Sequence, residues 1–172
     1  MLPSAIITAF KSADRINYNP IFLGTWTSTD PDFFKMGKGL IRDRLVIQFP
    51  GGLPADKSKG IAVMQELWNR YKTVNKFDAS YWEGLVVGMI MERAFARAYE
   101  NSKVINPQTI NAALESFRNE DFGGLVPPVT YTKDDHGASF TARMVQVKEN
   151  GTYTTLTNFY VPGKDKIKVF KK

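Results

Sequence analysis

The sequence predicts an α/β fold that ends in an antiparallel hairpin. Three observations carry this. Amphipathic helical stretches alternate with short apolar runs as far as Phe117, strand-like patterning replaces them from Gly123 onward, and Asn150-Gly151 separates two alternating runs. Asn-Gly readily takes the positive backbone angles of a type I′ turn, which makes the hairpin the strongest local signal in the chain.

The elements follow in order. A first helix is expected from about Ser4, with Ile6, Ile7, Phe10, Ala13 and Ile16 on one face. It should stop before Asn19-Pro20, because a residue preceding proline is driven out of the helical region. The run IFLGTW, residues 21–26, reads as a short buried strand. Thr29 or Asp30 then offers an N-cap, with Pro31 at the first position of a short helix toward Met36. RLVIQF is a second strand, closed by the turn PGGLP. Ile61, Met64, Leu67, Trp68 and Tyr71 mark another amphipathic helix.

The next helix starts near Asp78 as N-cap and is apolar on nearly all sides for three turns, as expected of a helix buried between layers. Asn106 caps the following helix, with Pro107 at its first position and Ile110, Leu114 and Phe117 facing inward.

Composition narrows the function. With 172 residues, 43% hydrophobic, the chain can bury a sizeable core. It has no cysteine, which excludes disulfides, thiolate nucleophiles and cysteine-based metal clusters. The net charge of +6 suggests a basic surface, but the tail Lys164–Lys172 holds five lysines against Asp165 and leaves only +2 for the rest. A solvated tail is therefore a better reading than a nucleic-acid arm. The amino terminus lacks the pattern of a signal peptide, and the run GLVVGMIM is too short to span a membrane.

Catalysis finds little to work with. The one histidine, His136, follows Asp134 and Asp135, and no Gly-x-Ser-x-Gly elbow accompanies it. Adjacent residues in an extended chain point to opposite faces, so these three cannot all converge on one ion. Asp134, Asp135 and Gly137 read instead as a turn in which His136 bonds locally. No glycine run forms a phosphate-cradling loop, and Asp30, Asp32, Glu83 and Asp121 suggest no paired carboxylates by their spacing. No catalytic residue, cofactor or metal is expected.

A binding role has better support. Thr25, Trp26 and Thr27 follow a strand, and ligands of open α/β sheets bind beyond the carboxyl ends of strands. An indole between two hydroxyls would give an apolar wall with polar handles, although the same residue serves equally as a cap on the core. Phe77, Tyr81 and Trp82 raise the same choice at the start of the most apolar helix.

Taken together, AFKSADRINYNPIFLGTWTSTDPDFFK, YWEGLVVGMIMERAFARA, NPQTINAALESF and PVTYTKDDHGASFTARMVQVKENGTY resemble the carboxyl-terminal half of type I periplasmic substrate-binding proteins of ABC importers. The resemblance is to the branched-chain amino acid, amide and aromatic-compound group, and it spares only the tail from about Pro162. It implies a three-layer α/β lobe with a terminal hairpin and an incomplete second lobe. Residues 1–75 would begin the carboxyl-terminal ligand-binding lobe, 76–122 would be helical and belong to the other lobe, 123–161 would return as strands and hairpin, and 162–172 would be the basic tail.

The resemblance also implies a function: a truncated solute-binding component without catalysis, which closes on a small amino acid, amide, or aromatic or aliphatic acid in an inter-lobe cleft. Thr25, Trp26, Thr27, Phe77 and Tyr81 are its ligand-binding candidates. Trp26 stands at or beside the place where amino-acid binders often carry an acid for the ligand ammonium. Burying an uncompensated ammonium is costly, which favours an acid or amide over a zwitterion. The partners implied are the ligand and an ABC permease, with the full-length protein periplasmic or lipid-anchored outside the cell. Self-association through the apolar helix is expected, and nucleic acid and membrane insertion are not. A cytoplasmic ligand-sensing module of the same fold is the alternative.

Overall fold

The computed structural model describes residues 3–29, 31–71, 79–137 and 141–160. Its elements are helix α1 (Pro3–Arg15), strand β1 (Phe22–Thr25), a single 3-10 turn (Trp26–Ser28), α2 (Pro31–Met36), β2 (Leu45–Phe49), α3 (Lys59–Tyr71), α4 (Ala79–Ser102), α5 (Pro107–Glu115), β3 (Arg143–Val147) and β4 (Tyr153–Thr155). They divide into two compact units. The first comprises Met1–Pro50, Asp78–Ser80 and Thr141–Lys172, and the second Gly51–Phe77 and Tyr81–Phe140.

The first unit is built on a four-stranded sheet in the order β1-β2-β3-β4. The pair β1 and β2 is parallel, in register from Phe22 and Leu45 to Thr25 and Gln48; β3 and β4 then add antiparallel. The interior strand β2 is the most buried, as its unbroken Leu-Val-Ile run requires. Ile6, Ile7, Phe10 and Ala13 of α1, Phe33 of α2, and Val145 and Val147 of β3 complete this core. The core also holds a cation, Arg44. Its guanidinium bonds to Asp14 Oδ1 (2.7 Å), Asn19 Oδ1 (3.3 Å) and the Leu40 carbonyl (3.1 Å), and lies over the Phe10 ring at 4.9 Å. These partners compensate a charge that would otherwise be prohibitive to bury.

Three expectations are corrected here. Ile16 lies past the end of α1, where the chain turns at Asn17 with φ of 53°, and is 73% exposed rather than on the packed face. Strand β1 is not buried: it is the edge of the sheet among the described strands, and Leu23 is 76% exposed. The hairpin forms where expected but without a type I′ turn, since Gly151 has φ of 83° while Asn150 is not in the positive region. Gly151 N–H donates to the Lys148 carbonyl, which makes this the three-residue form with glycine at its left-handed position. The reason lies in the anchoring. Asn150 Oδ1 accepts from Thr152 N and Oγ1, while the Glu149 carboxylate accepts the backbone N–H groups of Gly39 and Arg42.

The second unit packs α3, α4 and α5 with the segment from Phe117 to Val129. Its core includes Leu53, Ile61, Met64, Trp82, Val86, Ile90, Ala113, Phe117, Leu125 and Val129. Helix α5 starts as expected: Asn106 Oδ1 accepts from Thr109 N at 2.9 Å, and Thr109 Oγ1 accepts from Asn106 N at 3.0 Å, a complete capping box. Of its three expected inward residues, Phe117 is fully buried, and Ile110 and Leu114 are half-buried. Arg93 and Arg97, one turn apart on α4, both reach the Glu120 carboxylate and lie over the rings of Phe122 (4.5 Å) and Phe117 (4.7 Å).

Helix α4 also needs a correction. It packs through Trp82, Val86, Ile90, Ala94 and Ala98, but Val87 and Tyr99 are each 54% exposed, so among the described residues it is covered on one side and not buried between layers. At about 100° per residue, Gly84, Gly88, Phe95 and Tyr99 form a stripe roughly opposite the packed side. The expected N-cap Asp78, like Asp30 before α2, lies outside the described residues.

Candidate ligand-binding site

Strand β1 ends at Thr25, and the chain folds at once into the turn at Trp26. Threonine hydroxyls favour such a break because they bond to nearby backbone in place of the regular ladder. Thr29 closes the turn: its N–H and its Oγ1 both donate to the Trp26 carbonyl, at 3.4 and 3.1 Å. The Thr29 hydroxyl is buried and in turn accepts from Tyr153 Oη of β4, at 3.3 Å. The hairpin therefore holds the loop in place.

Three of the predicted residues are brought together by this loop. Thr25 and Thr27 are exposed, with their hydroxyls 2.9 Å apart, and the half-buried Trp26 indole stands between them in sequence. Tyr81 is a half-buried residue in the first turn of α4 and belongs to the second unit, whereas the loop belongs to the first. Phe77 lies outside the described residues.

The loop lies at the carboxyl end of the only parallel pair among the described strands, where open α/β sheets bind ligands. Behind it, Phe34 and Phe49 pack on Tyr153 with ring centroids 6.4 and 6.3 Å away. Two hydroxyls beside an indole suit binding by hydrogen bonds against an apolar wall.

Sequence reasoning missed Thr29, Tyr153 and Arg143. Arg143 pairs with Phe49 at this same end of the sheet, is buried, and lies over the Phe159 ring at 4.8 Å. The signal for it was present, since Arg143, Val145 and Val147 share one face of an alternating strand and an arginine there is out of pattern. Nothing local marks Thr29 or Tyr153, because their contact joins residues 124 apart.

The Asp-Asp-His-Gly stretch makes the expected turn: Gly137 N–H donates to Asp135 Oδ1 at 2.8 Å, and Thr132 and Asp135 form a bridge. His136 does not bond locally, however. Its Nε2 meets Glu115 Oε1 of α5 at 3.1 Å. The hydrogen bonds from His136 and Asn111 hold the Glu115 carboxyl below its ordinary range. Among the described residues, no three His, Cys, Asp or Glu side chains are grouped to hold a metal ion, and no helix is long and apolar enough to cross a membrane.

No protein-family model matches the chain, and no curated protein does. Solved structures do. The crystal structure of a branched chain amino acid ABC transporter from Thermus thermophilus with bound valine superposes with a TM-score of 0.81 at 19% identity, over 96% of this chain and 45% of that one. A fatty acid ABC transporter substrate-binding protein from Thermomonospora curvata gives 0.80 at 18%, over 94% and 42%. A possible leucine/isoleucine/valine-binding protein from Rhodopirellula baltica gives 0.73 at 19%, over 88% and 40%. This chain thus spans less than half the length of each protein it matches. It has the mixed α/β fold of type I periplasmic substrate-binding proteins.

Proposed function

We propose that this chain is part of a solute-binding protein of an ABC importer, one that binds and delivers a ligand without chemical change. The observation that carries the proposal is the superposition of nearly the whole chain on the Thermus thermophilus and Thermomonospora curvata proteins. Their ligands, valine and a fatty acid, share a carboxylate on an apolar body. Trp26, Thr25 and Thr27 suit that class, with the indole against the apolar part and the hydroxyls at the polar part. With Trp26 at this position, an aliphatic or aromatic acid or amide is favoured over a zwitterion. Phe77 and Tyr81 are the further candidates. In the complete protein the two units are pieces of two lobes, the ligand is held with residues beyond this chain, and an extracytoplasmic location with a permease partner follows.

The stripe on α4 calls for a covering surface, and self-association of the isolated chain is part of the proposal. Light scattering across a hundredfold range of concentration measures it, and a strictly monomeric chain refutes it.

Calorimetric titration of the full-length protein with valine, leucine, phenylacetate, decanoate and their amides tests the ligand class. Loss of much of one indole contact is worth roughly 1.5–3 kcal/mol, so Trp26→Ala should weaken the best ligand by about 10- to 100-fold. Unchanged affinity removes Trp26 from the site. If no acid or amide binds the complete protein, the solute-binding reading falls.

A further inference from the structure

A cavity of about 290 Å³ opens between α4 and α5 in the second unit. Val87, Ile90 and Met91 of α4 and Leu114 of α5 form its apolar wall, and Asn111, Tyr131 and His136 add polar groups. We propose that it binds a small uncharged molecule with an apolar body and one hydroxyl or amide group. This goes beyond the solute-binding reading, because all seven lining residues belong to the second unit and the Trp26 loop to the first.

Size sets the first limit. At about 30 Å³ per water in the liquid, the cavity has the room of roughly ten waters, which suits a ligand of about eight to ten non-hydrogen atoms. Shape sets the second. Met91 is unbranched and polarisable, so the wall adapts to a flat or a branched body.

The polar groups decide the head group. Tyr131 is half-buried, its hydroxyl has no hydrogen-bond partner among the described residues, and burial raises its pKa, which keeps it a donor. A ligand oxygen that accepts from it takes the place of water at that donor. Two of the lining side chains are already engaged by one carboxylate beside the cavity: Glu115 accepts from His136 Nε2 and from Asn111 Nδ2 (2.9 Å) and also feels the charge of Lys133. A carboxylate ligand would meet the Glu115 anion. An ammonium would compete with His136 and Asn111 for it.

The test uses the 172-residue chain with labelled methyl groups and three probes: p-cresol, toluene and p-toluate. In NMR titrations p-cresol should shift the Val87, Ile90, Met91 and Leu114 methyls saturably, with a dissociation constant of about a millimolar for a ligand of this size. Toluene, which lacks the hydroxyl, should bind about fivefold more weakly and p-toluate at least tenfold more weakly. Val87 lines the mouth and is exposed, so Val87→Phe narrows the cavity without threatening the core and should weaken p-cresol at least tenfold. Tyr131→Phe should bring p-cresol down to toluene.

Shifts that never saturate, or that survive Val87→Phe undiminished, overturn the proposal, and p-toluate binding as tightly as p-cresol overturns its uncharged character. The Ile90 and Leu114 methyls lie off the α4 stripe. If they shift on dilution without any probe, the cavity is a contact between copies and the proposal fails.

Discussion

Gly51→Ala should destabilise the second unit severely for a change of one methyl group. A Cβ built on Gly51 would lie 2.5 Å from Trp82 Cε2 and 2.8 Å from Nε1, and closer still to Cζ2. Carbon atoms in contact sit about 3.5–4.0 Å apart, so the ring must retreat by at least about 1 Å. It has little freedom to do so. Trp82 is buried, and its Nε1–H donates to the Leu125 carbonyl at 2.8 Å. Overpacking of this kind costs about 1–3 kcal/mol. A stretched or broken buried hydrogen bond adds about 1–3 kcal/mol. The sum is about 2–6 kcal/mol, and at about 2–4 °C per kcal/mol for a chain of this length the midpoint should fall by roughly 4–24 °C.

Gly84→Ala is the control, since a Cβ there meets nothing within 4 Å and the residue lies inside α4. Relief of the glycine's conformational cost should stabilise the helix by about 0.5–1 kcal/mol. Urea unfolding followed by circular dichroism and tryptophan fluorescence measures both variants. A Gly51→Ala protein within about 0.5 kcal/mol of the parent would refute the packing of Trp82 against residue 51, since no smaller displacement relieves the overlap.

Other outcomes follow from the ion pairs and caps. Burial pushes the Glu120 carboxyl up, but the hydrogen bonds and charges of Arg97 and Arg93 outweigh it and leave its pKa lowered. Glu120→Gln should cost on the order of 1–2 kcal/mol in urea unfolding, since both guanidiniums keep some water. Asn106→Ala removes half of the capping box and should cost about 1 kcal/mol by the same measurement. Asp14 is lowered by the hydrogen bond from Arg44 and by Arg42, and Asp43 by Lys148 and the Glu149 N–H; Glu115 and Glu120 are lowered too. Unfolding returns these four to ordinary values near about 3.9 and 4.3, so their contribution is full above about pH 5. It is lost as pH falls through the depressed folded values, so the melting midpoint should drop steeply below about pH 4. A midpoint that holds steady down to pH 3 would contradict these shifts.

Legibility in the sequence tracks how local the cause of each element is. The α5 cap was readable because Asn106, Pro107 and Thr109 sit within one turn, and β2 because an unbroken Leu-Val-Ile run fits only an interior strand. The exposure of β1 was not readable. Ile21 and Leu23 look like core residues by type, and only the strand order shows that they border the sheet. The hairpin turn was placed correctly and mistyped, since Asp43, some hundred residues away, accepts the Glu149 N–H and helps fix its backbone. At the candidate site the loop at Thr25, Trp26 and Thr27 was visible as a strand end rich in hydroxyls. Its support was not, because Tyr153 reaches Thr29 only once the sheet has formed.

The glycines of this chain show why composition alone could not separate a packed surface from an open one. Gly51 exists because an indole occupies the space of its missing side chain, and Gly124, with φ of 78°, holds a backbone angle that side chains resist. Gly84 and Gly88 have neither reason: both sit in regular helix, and a methyl group on either would meet nothing. Two such residues in mid-helix cost about 1 kcal/mol each relative to alanine, a penalty the described contacts do not offset. A surface that approached α4 closely enough to exclude a Cβ would offset it. The same stripe carries the exposed Phe95 and Tyr99, so an apolar contact and a close approach would coincide there. If self-association through that stripe occurs, Gly84→Ala should stabilise the monomer and weaken the association at the same time. No purely local role for the glycine produces both effects.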